Sequence, residues 1–110
     1  MDVIKKAHCL TIELYKFTKE YPSDEKYGLV LQIRRVASSI SANLMEGSHR
    51  NNRGEYRHFV GISIGFAGEL KYHMLLSKDL GYISEPVYYE IKQESDDICK
   101  MLTELIKSLS

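Results

Sequence analysis

Apolar residues recur along the first twenty positions at alternating intervals of four and three: Val3, Ala7, Leu10, Leu14, Phe17 and Tyr21. That spacing keeps side chains on one face of an α-helix. It predicts a first helix over Asp2–Glu20. Pro22 ends it, because the residue before proline is pushed out of helical geometry. Ser23 or Asp24 is then placed to cap a second helix, from Asp24 to Gly47 or Arg50, whose core face is Leu29, Ile33, Val36, Ile40 and Leu44. A polar run with Gly47, Ser48, Asn51, Asn52 and Gly54 breaks the pattern, and Asn51 or Asn52 suits the N-cap of a third helix.

The third helix is expected over Arg53–Leu80, with Phe59, Ile62, Phe66, Leu70 and His73 on its core face. Gly81 follows in the position that favours a left-handed helix end. Ser84 caps a fourth helix with Pro86 in its first turn, and Tyr88, Ile91, Ser95, Ile98, Leu102, Leu105 and Leu109 form another heptad seam. Four helices with short connections predict an all-α fold: an antiparallel, up-down-up-down four-helix bundle forming one domain over residues 1–110.

The apolar positions exceed what one stripe per helix requires. Ile4, Thr11, Ile12 and Tyr15 form a second stripe on the first helix. Val30, Leu31 and Met45 add to the second. Val60, Ile64, Ala67, Met74 and Leu75 lie outside the expected main face of the third. Monomers rarely expose so much apolar surface, so homo-oligomerisation is expected. Gly61, Gly65 and Gly68 interrupt the third helix at about 1 kcal/mol each relative to alanine. Close backbone approach, within or between subunits, would compensate that cost. The interface candidates are Ile12, Val60, Gly61, Ile64 and Gly65.

Composition narrows the class. Apolar residues make up 44% and charged residues 27%, which excludes a disordered chain. No stretch is long and apolar enough for a membrane span, and no signal peptide is apparent. A cytoplasmic protein that does not engage a membrane is expected, with Cys9 and Cys99 as free thiols. Net charge is zero but unevenly placed: residues 34–58 carry five arginines against two acids, and residues 79–110 carry seven acids against three lysines.

All five arginines fall between Arg34 and Arg57. Arginine forms bidentate contacts with carboxylate or phosphate that lysine does not reproduce. One reading pairs Arg35 with Glu46, Glu69 and Asn43 in a polar network fixing the register of the second and third helices. The other turns Arg34, Arg35, Arg50, Arg53 and Arg57 towards phosphate. Glu46-x-x-His49 and Glu55-x-x-His58 have the carboxylate–imidazole spacing of di-iron bundles. They flank a turn, however, and Glu13 or Glu20 and Glu94 or Glu104 fall off the expected seams, so no metal and no cofactor is expected. No activated nucleophile or phosphate loop is evident, so no enzyme is expected.

Gln32-Ile33-Arg34-Arg35, Ala42-Asn43, Glu46-Gly47, Glu69-Leu70 and Leu80-Gly81-Tyr82 together resemble the four helix bundle protein family, also called 23S rRNA intervening sequence proteins. The resemblance spans nearly the whole chain. It implies an antiparallel four-helix bundle assembled into a ring-like homo-oligomer, typically a pentamer. The family is also similar to the accessory protein of diversity-generating retroelements, which partners reverse transcriptase and RNA. Ser41 stands where many members have proline, and the neutral net charge departs from the basic RNA-partnering relatives. The expectation is a non-enzymatic ring, with structured RNA or a nucleoprotein as the leading partner, a protein-only scaffold as the alternative and a metal-binding bundle as the second alternative.

Overall fold

The computed structural model describes residues 2–110. Four helices follow in order: α1 Val3–Thr18, α2 Leu29–Ser48, α3 Arg53–Asp79 and α4 Glu85–Ser108, with a single 3-10 turn at Ser23–Glu25 between the first two. Neighbouring helices run antiparallel. On α1 and α2, Ile4 lies opposite Ser41, Thr11 opposite Ala37 and Thr18 opposite Arg34. On α2 and α3, Ile40 meets Ser63 and Arg35 meets Glu69. On α3 and α4, Lys71 meets Asp96 and Arg53 meets Ser108. The α2–α3 seam is the most extensive and the α1–α4 seam the thinnest.

The caps follow from local sequence. The Asp2 carboxylate accepts from the Lys5 amide, Asn52 from Glu55 and Ser84 from Val87, each satisfying an amide that the first turn leaves free. Gly81 takes φ +80°, the left-handed ending expected of it. Two boundaries differ from expectation. α1 stops at Thr18 rather than Glu20, where 3-10-type hydrogen bonds from Glu20 to Phe17 and from Tyr21 to Thr18 tighten the end. α2 starts at Leu29 rather than Asp24. Gly28 adopts a non-helical conformation there, and the Glu25 side chain accepts from the Leu29 amide at 3.2 Å.

The expected core faces of α2 and α4 are largely the observed ones, and that of α1 is so at Ala7, Leu10 and Leu14; Thr11 and Val30, counted as surplus, are buried, while Val3 and Phe17 are half-buried. Leu14, Ile33, Leu44, Ile91, Ile98 and Leu102 are all sealed from solvent. The face of α3 is rotated from expectation. Its sealed residues are Val60, Ser63, Ala67, Leu70, Met74 and Ser77, whereas Phe59, Ile62, Phe66 and His73 are half-buried at its flank. Val60 is therefore a core residue at 0% exposure and presents nothing to a second subunit. Ile64 is half-buried and packs on the core. On the buried face of α3 small side chains are sealed beside large ones: Ser63, Ala67 and Ser77 among Val60, Leu70 and Met74. Ser63 donates from its hydroxyl to the Ile40 carbonyl at 3.0 Å across the seam.

Gly47 marks the tightest approach. A Cβ there would stand 2.7 Å from Phe59 Cβ and 3.0 Å from Tyr56 Cδ1. Gly47→Ala should therefore destabilise the fold despite alanine's better helix propensity. An overpacking cost of about 1–3 kcal/mol set against a propensity gain of about 1 kcal/mol leaves a net loss, visible as a lower urea midpoint with unchanged slope. An unchanged or higher midpoint would contradict the close contact.

Candidate functional site: the arginines and the carboxyl seam

The five arginines do not form one patch. Arg34 and Arg35 are adjacent in sequence, hence about 100° apart around α2, and they face different helices. Arg34 crosses to the C-terminal end of α1. Its Nε donates to Thr18 Oγ1 at 3.0 Å and its Nη2 to the Tyr15 carbonyl at 3.1 Å, with the guanidinium 4.6 Å from the Tyr15 ring centroid. There it satisfies a carbonyl at the negative end of the helix dipole.

Arg35 turns to α3. It donates to Gln32 Oε1 through Nε and Nη2, and to Glu69 Oε2 at 3.2 Å. His73 Nε2 lies 3.5 Å from the same Glu69 oxygen. Asn43 and Glu46 stand apart from this group. Asn43 donates back to the Ser39 carbonyl at 2.8 Å, a turn earlier on its own helix. Glu46 pairs with Arg50 four residues on. The expected Arg35–Asn43–Glu46–Glu69 network is thus reduced to the Arg35–Glu69 pair. Asn43 is satisfied within α2 and Glu46 by Arg50 just past its end, because positions eight and eleven residues away lie more than two turns up the axis.

The other three arginines gather where α2 passes into α3. Arg50 pairs with Glu46, and its guanidinium lies 5.2 Å from the Phe59 ring centroid. Arg53 donates to the Ser108 carbonyl at 2.6 Å, closing the free end of α4. Arg57 is exposed and makes no ion pair or hydrogen bond among the described residues. With Gly54, His58, Gly61, Ile62 and Ile106 it lines an open groove of about 480 Å³ that holds no acidic residue.

The two Glu-x-x-His pairs sit at this same end, and the first is engaged locally. Glu46 is held by Arg50, and His49 Nδ1 lies 2.8 Å from the Met45 carbonyl. Among the described residues no three His, Cys, Asp or Glu side chains converge as a metal site would need. One carboxylate pair does lie on a seam, contrary to expectation. Glu13 on α1 and Glu94 on α4 are both half-buried and face each other. Sequence reasoning missed them because the charged positions interrupt an apolar heptad only at its edge, where the thin α1–α4 contact tolerates them. They stand mid-bundle, away from the Glu-x-x-His pairs, so the two sets do not combine into a di-iron ligand shell.

Burial raises the Glu94 carboxyl to about 7. Glu13, as hydrogen-bond partner and like charge, and Glu90 push it the same way, and Lys6 opposes them. Across the neighbouring α3–α4 seam, hydrogen bonds from Lys71 and Lys92 hold Asp96 below the usual carboxylate range.

Two unpartnered faces complete the surface. On α1 and α2, Ile4, Lys5, His8, Cys9, Ser41 and Met45 line an apolar depression of about 400 Å³, and Ile12, 44% exposed, and Tyr15 continue along α1. On α3, Gly61 has only Ile106 within 4 Å of a Cβ position, and Gly65 and Gly68 have nothing. No helix among the described residues is long and apolar enough to cross a membrane. Both cysteines are free.

These features define a small all-helical bundle with a basic turn and two unpartnered faces. The family model for 23S rRNA-intervening sequence protein matches residues 1–104, and the chain belongs to that family. A crystal structure of a protein of unknown function from the S23 ribosomal protein family of Bacteroides thetaiotaomicron VPI-5482 superposes with a TM-score of 0.85 at 27% identity. The match covers 96% of this chain and 98% of that one. No curated protein matches the chain.

The carboxyl seam gives a pH dependence with a defined sign. A carboxyl raised in the folded state adds stability below its unfolded value, near 4.5, and loses it as pH rises through about 7. The melting temperature should fall between pH 5 and pH 8. Glu94→Gln should raise it by a few degrees at pH 8 and change it little at pH 4. Equal effects of the substitution at both pH values would rule out the raised carboxyl as the cause.

Proposed function

We propose that the protein is a non-enzymatic binding module of the cytoplasm that assembles into a homo-oligomeric ring and engages structured RNA at its α2–α3 end. The RNA reading is carried by the grouping of Arg50, Arg53 and Arg57 at one end of the bundle, with Arg57 unpaired over an acid-free groove. Arginine on a shallow open surface suits phosphate contacts directed by shape rather than by base sequence. Ring assembly would repeat the patch, so that modest contacts add by avidity.

Two observations support a ring. The unpartnered faces differ in chemistry: protruding apolar side chains on α1 and α2, bare backbone on α3. Different faces that fit each other make a head-to-tail contact, and such contacts close into rings. A pentamer is the size implied by family resemblance. Light scattering at micromolar protein should give a multiple of the 12.7 kDa chain mass. Ile12→Lys on one face and Gly65→Glu on the other should each lower that mass while keeping the helical circular dichroism, since both positions are exposed in the subunit. A monomeric mass for the wild type would end the ring proposal.

A protein scaffold without a nucleic-acid role is the second reading. It is favoured by the engagement of Arg34, Arg35, Arg50 and Arg53 within the subunit. Fluorescence anisotropy of a structured RNA at two salt concentrations separates the two. Arg50→Ala/Arg53→Ala/Arg57→Ala should weaken binding at low salt. The slope of log affinity against log salt should flatten by about 0.9 for each phosphate no longer neutralised. Equal affinity of the two proteins would leave the scaffold reading.

A further inference from the structure

A second cationic site lies at the opposite end of the bundle, where α1 passes into α2. Thr18, Lys19, Tyr21, Pro22, Ser23, Lys26, Val30 and Arg34 line a cavity of about 280 Å³ there. Three of those residues are cations, three carry hydroxyls, that of Thr18 already donating to the Leu14 carbonyl, and no acidic residue belongs to the lining. None of the three cations pairs with a carboxylate among the described residues. We infer that this cavity is a binding pocket for a phosphate group. The inference does not rest on the RNA reading of the α2–α3 end.

The pocket has a fixed wall and two adjustable arms. Arg34 is the wall: half-buried, stacked on Tyr15, and anchored through Nε and Nη2. Its orientation is set without an anion, so its remaining N–H groups are preorganised. Lys19 and Lys26 are exposed and reach the cavity from either side of the Pro22 turn. Ser23 offers a hydroxyl donor at the rim. Val30 supplies an apolar floor.

The groups that would repel an anion are occupied elsewhere. The last α1 carbonyls accept local bonds: Phe17 from Glu20 at 3.1 Å, Thr18 from Tyr21 at 3.2 Å, and Tyr15 from Arg34 itself. The negative end of the α1 dipole is thereby met inside the protein. Glu25, the acid nearest in sequence to Lys26, turns away, accepting from Tyr82 Oη at 2.9 Å and from the Leu29 amide. Glu20 and Asp24 lie on the same connection but do not line the cavity. Converging like charges repel one another, and a phosphate between them would relieve that repulsion while gaining charge-assisted hydrogen bonds. At about 280 Å³ the cavity lies just below the ~300–1,000 Å³ of ordinary ligand sites and has room for a phosphate or pyrophosphate group.

That group could belong to a free compound or to a nucleic-acid backbone, and one experiment separates them. Pyrophosphate and a short single-stranded RNA are titrated calorimetrically into wild type and Lys19→Ala/Lys26→Ala, with sodium chloride matched for ionic strength. Lys100→Ala/Lys107→Ala removes two charges from exposed positions of α4 and serves as the control for net charge. The Lys19/Lys26 variant should weaken binding about tenfold or more, the scale of removing one charged hydrogen bond, and the control should not. A selective loss for pyrophosphate identifies a free phosphate compound. A selective loss for RNA alone identifies the polymer backbone. Absence of binding by both ligands, or equal weakening by both pairs of substitutions, overturns the inference.

Discussion

The close approach of α2 and α3 is the constraint on which the rest of the structure depends. Gly47 packs directly against Phe59, and the Ser63 hydroxyl donates to the Ile40 carbonyl, so side chain meets backbone across this seam. The pair acts as a spine: α1 is laid on α2, α4 on α3, and the thin α1–α4 seam is what remains. That residual seam is where a carboxyl pair can survive half-buried, because fewer apolar contacts there exclude water. The buried face of α3 is rotated from the aromatic one, so that Phe59 and Phe66 flank the core and Gly65 and Gly68 face outward.

This rotation explains what the sequence could and could not disclose. The seams of α1, α2 and α4 were legible because large aliphatic residues occupy them at heptad spacing. Caps at Asn52 and Ser84 and the left-handed Gly81 were legible because each rests on local chemistry. The α3 face was not. Phe59, Ile62 and Phe66 outweigh Ser63, Ala67 and Ser77 on any hydrophobic scale, yet these small residues are the ones sealed beside Val60, Leu70 and Met74. A three-four spacing through Val60, Ser63, Ala67, Leu70, Met74 and Ser77 was present, but it emerges only once small residues count as core.

The arginine segment shows a related limit. Its composition was plain, and the neighbouring positions of Arg34 and Arg35 suggested a shared role. Helical geometry divides them: one closes the end of α1, the other meets Glu69 on α3, and three more collect a full helix length away. Sequence distance measures proximity poorly when each residue turns the side chain by about 100°. Which partner each guanidinium selects depends on neighbouring helices that no local pattern names. The family assignment constrains the fold across residues 1–104. The roles of individual arginines follow from their partners.

An even number of antiparallel helices brings the polypeptide back to where it began. Ile4 lies beside Ser41 near the end of α2, and Ser108 lies beside Arg53 at the start of α3. The end of α4 therefore lies beside the turn arginines and the start of α1 towards them, while the Lys19–Lys26 end carries the α1–α2 connection. A chain continued from the start of α1 or the end of α4 would crowd the first location and leave the second open, so the two cationic poles of this bundle differ in access.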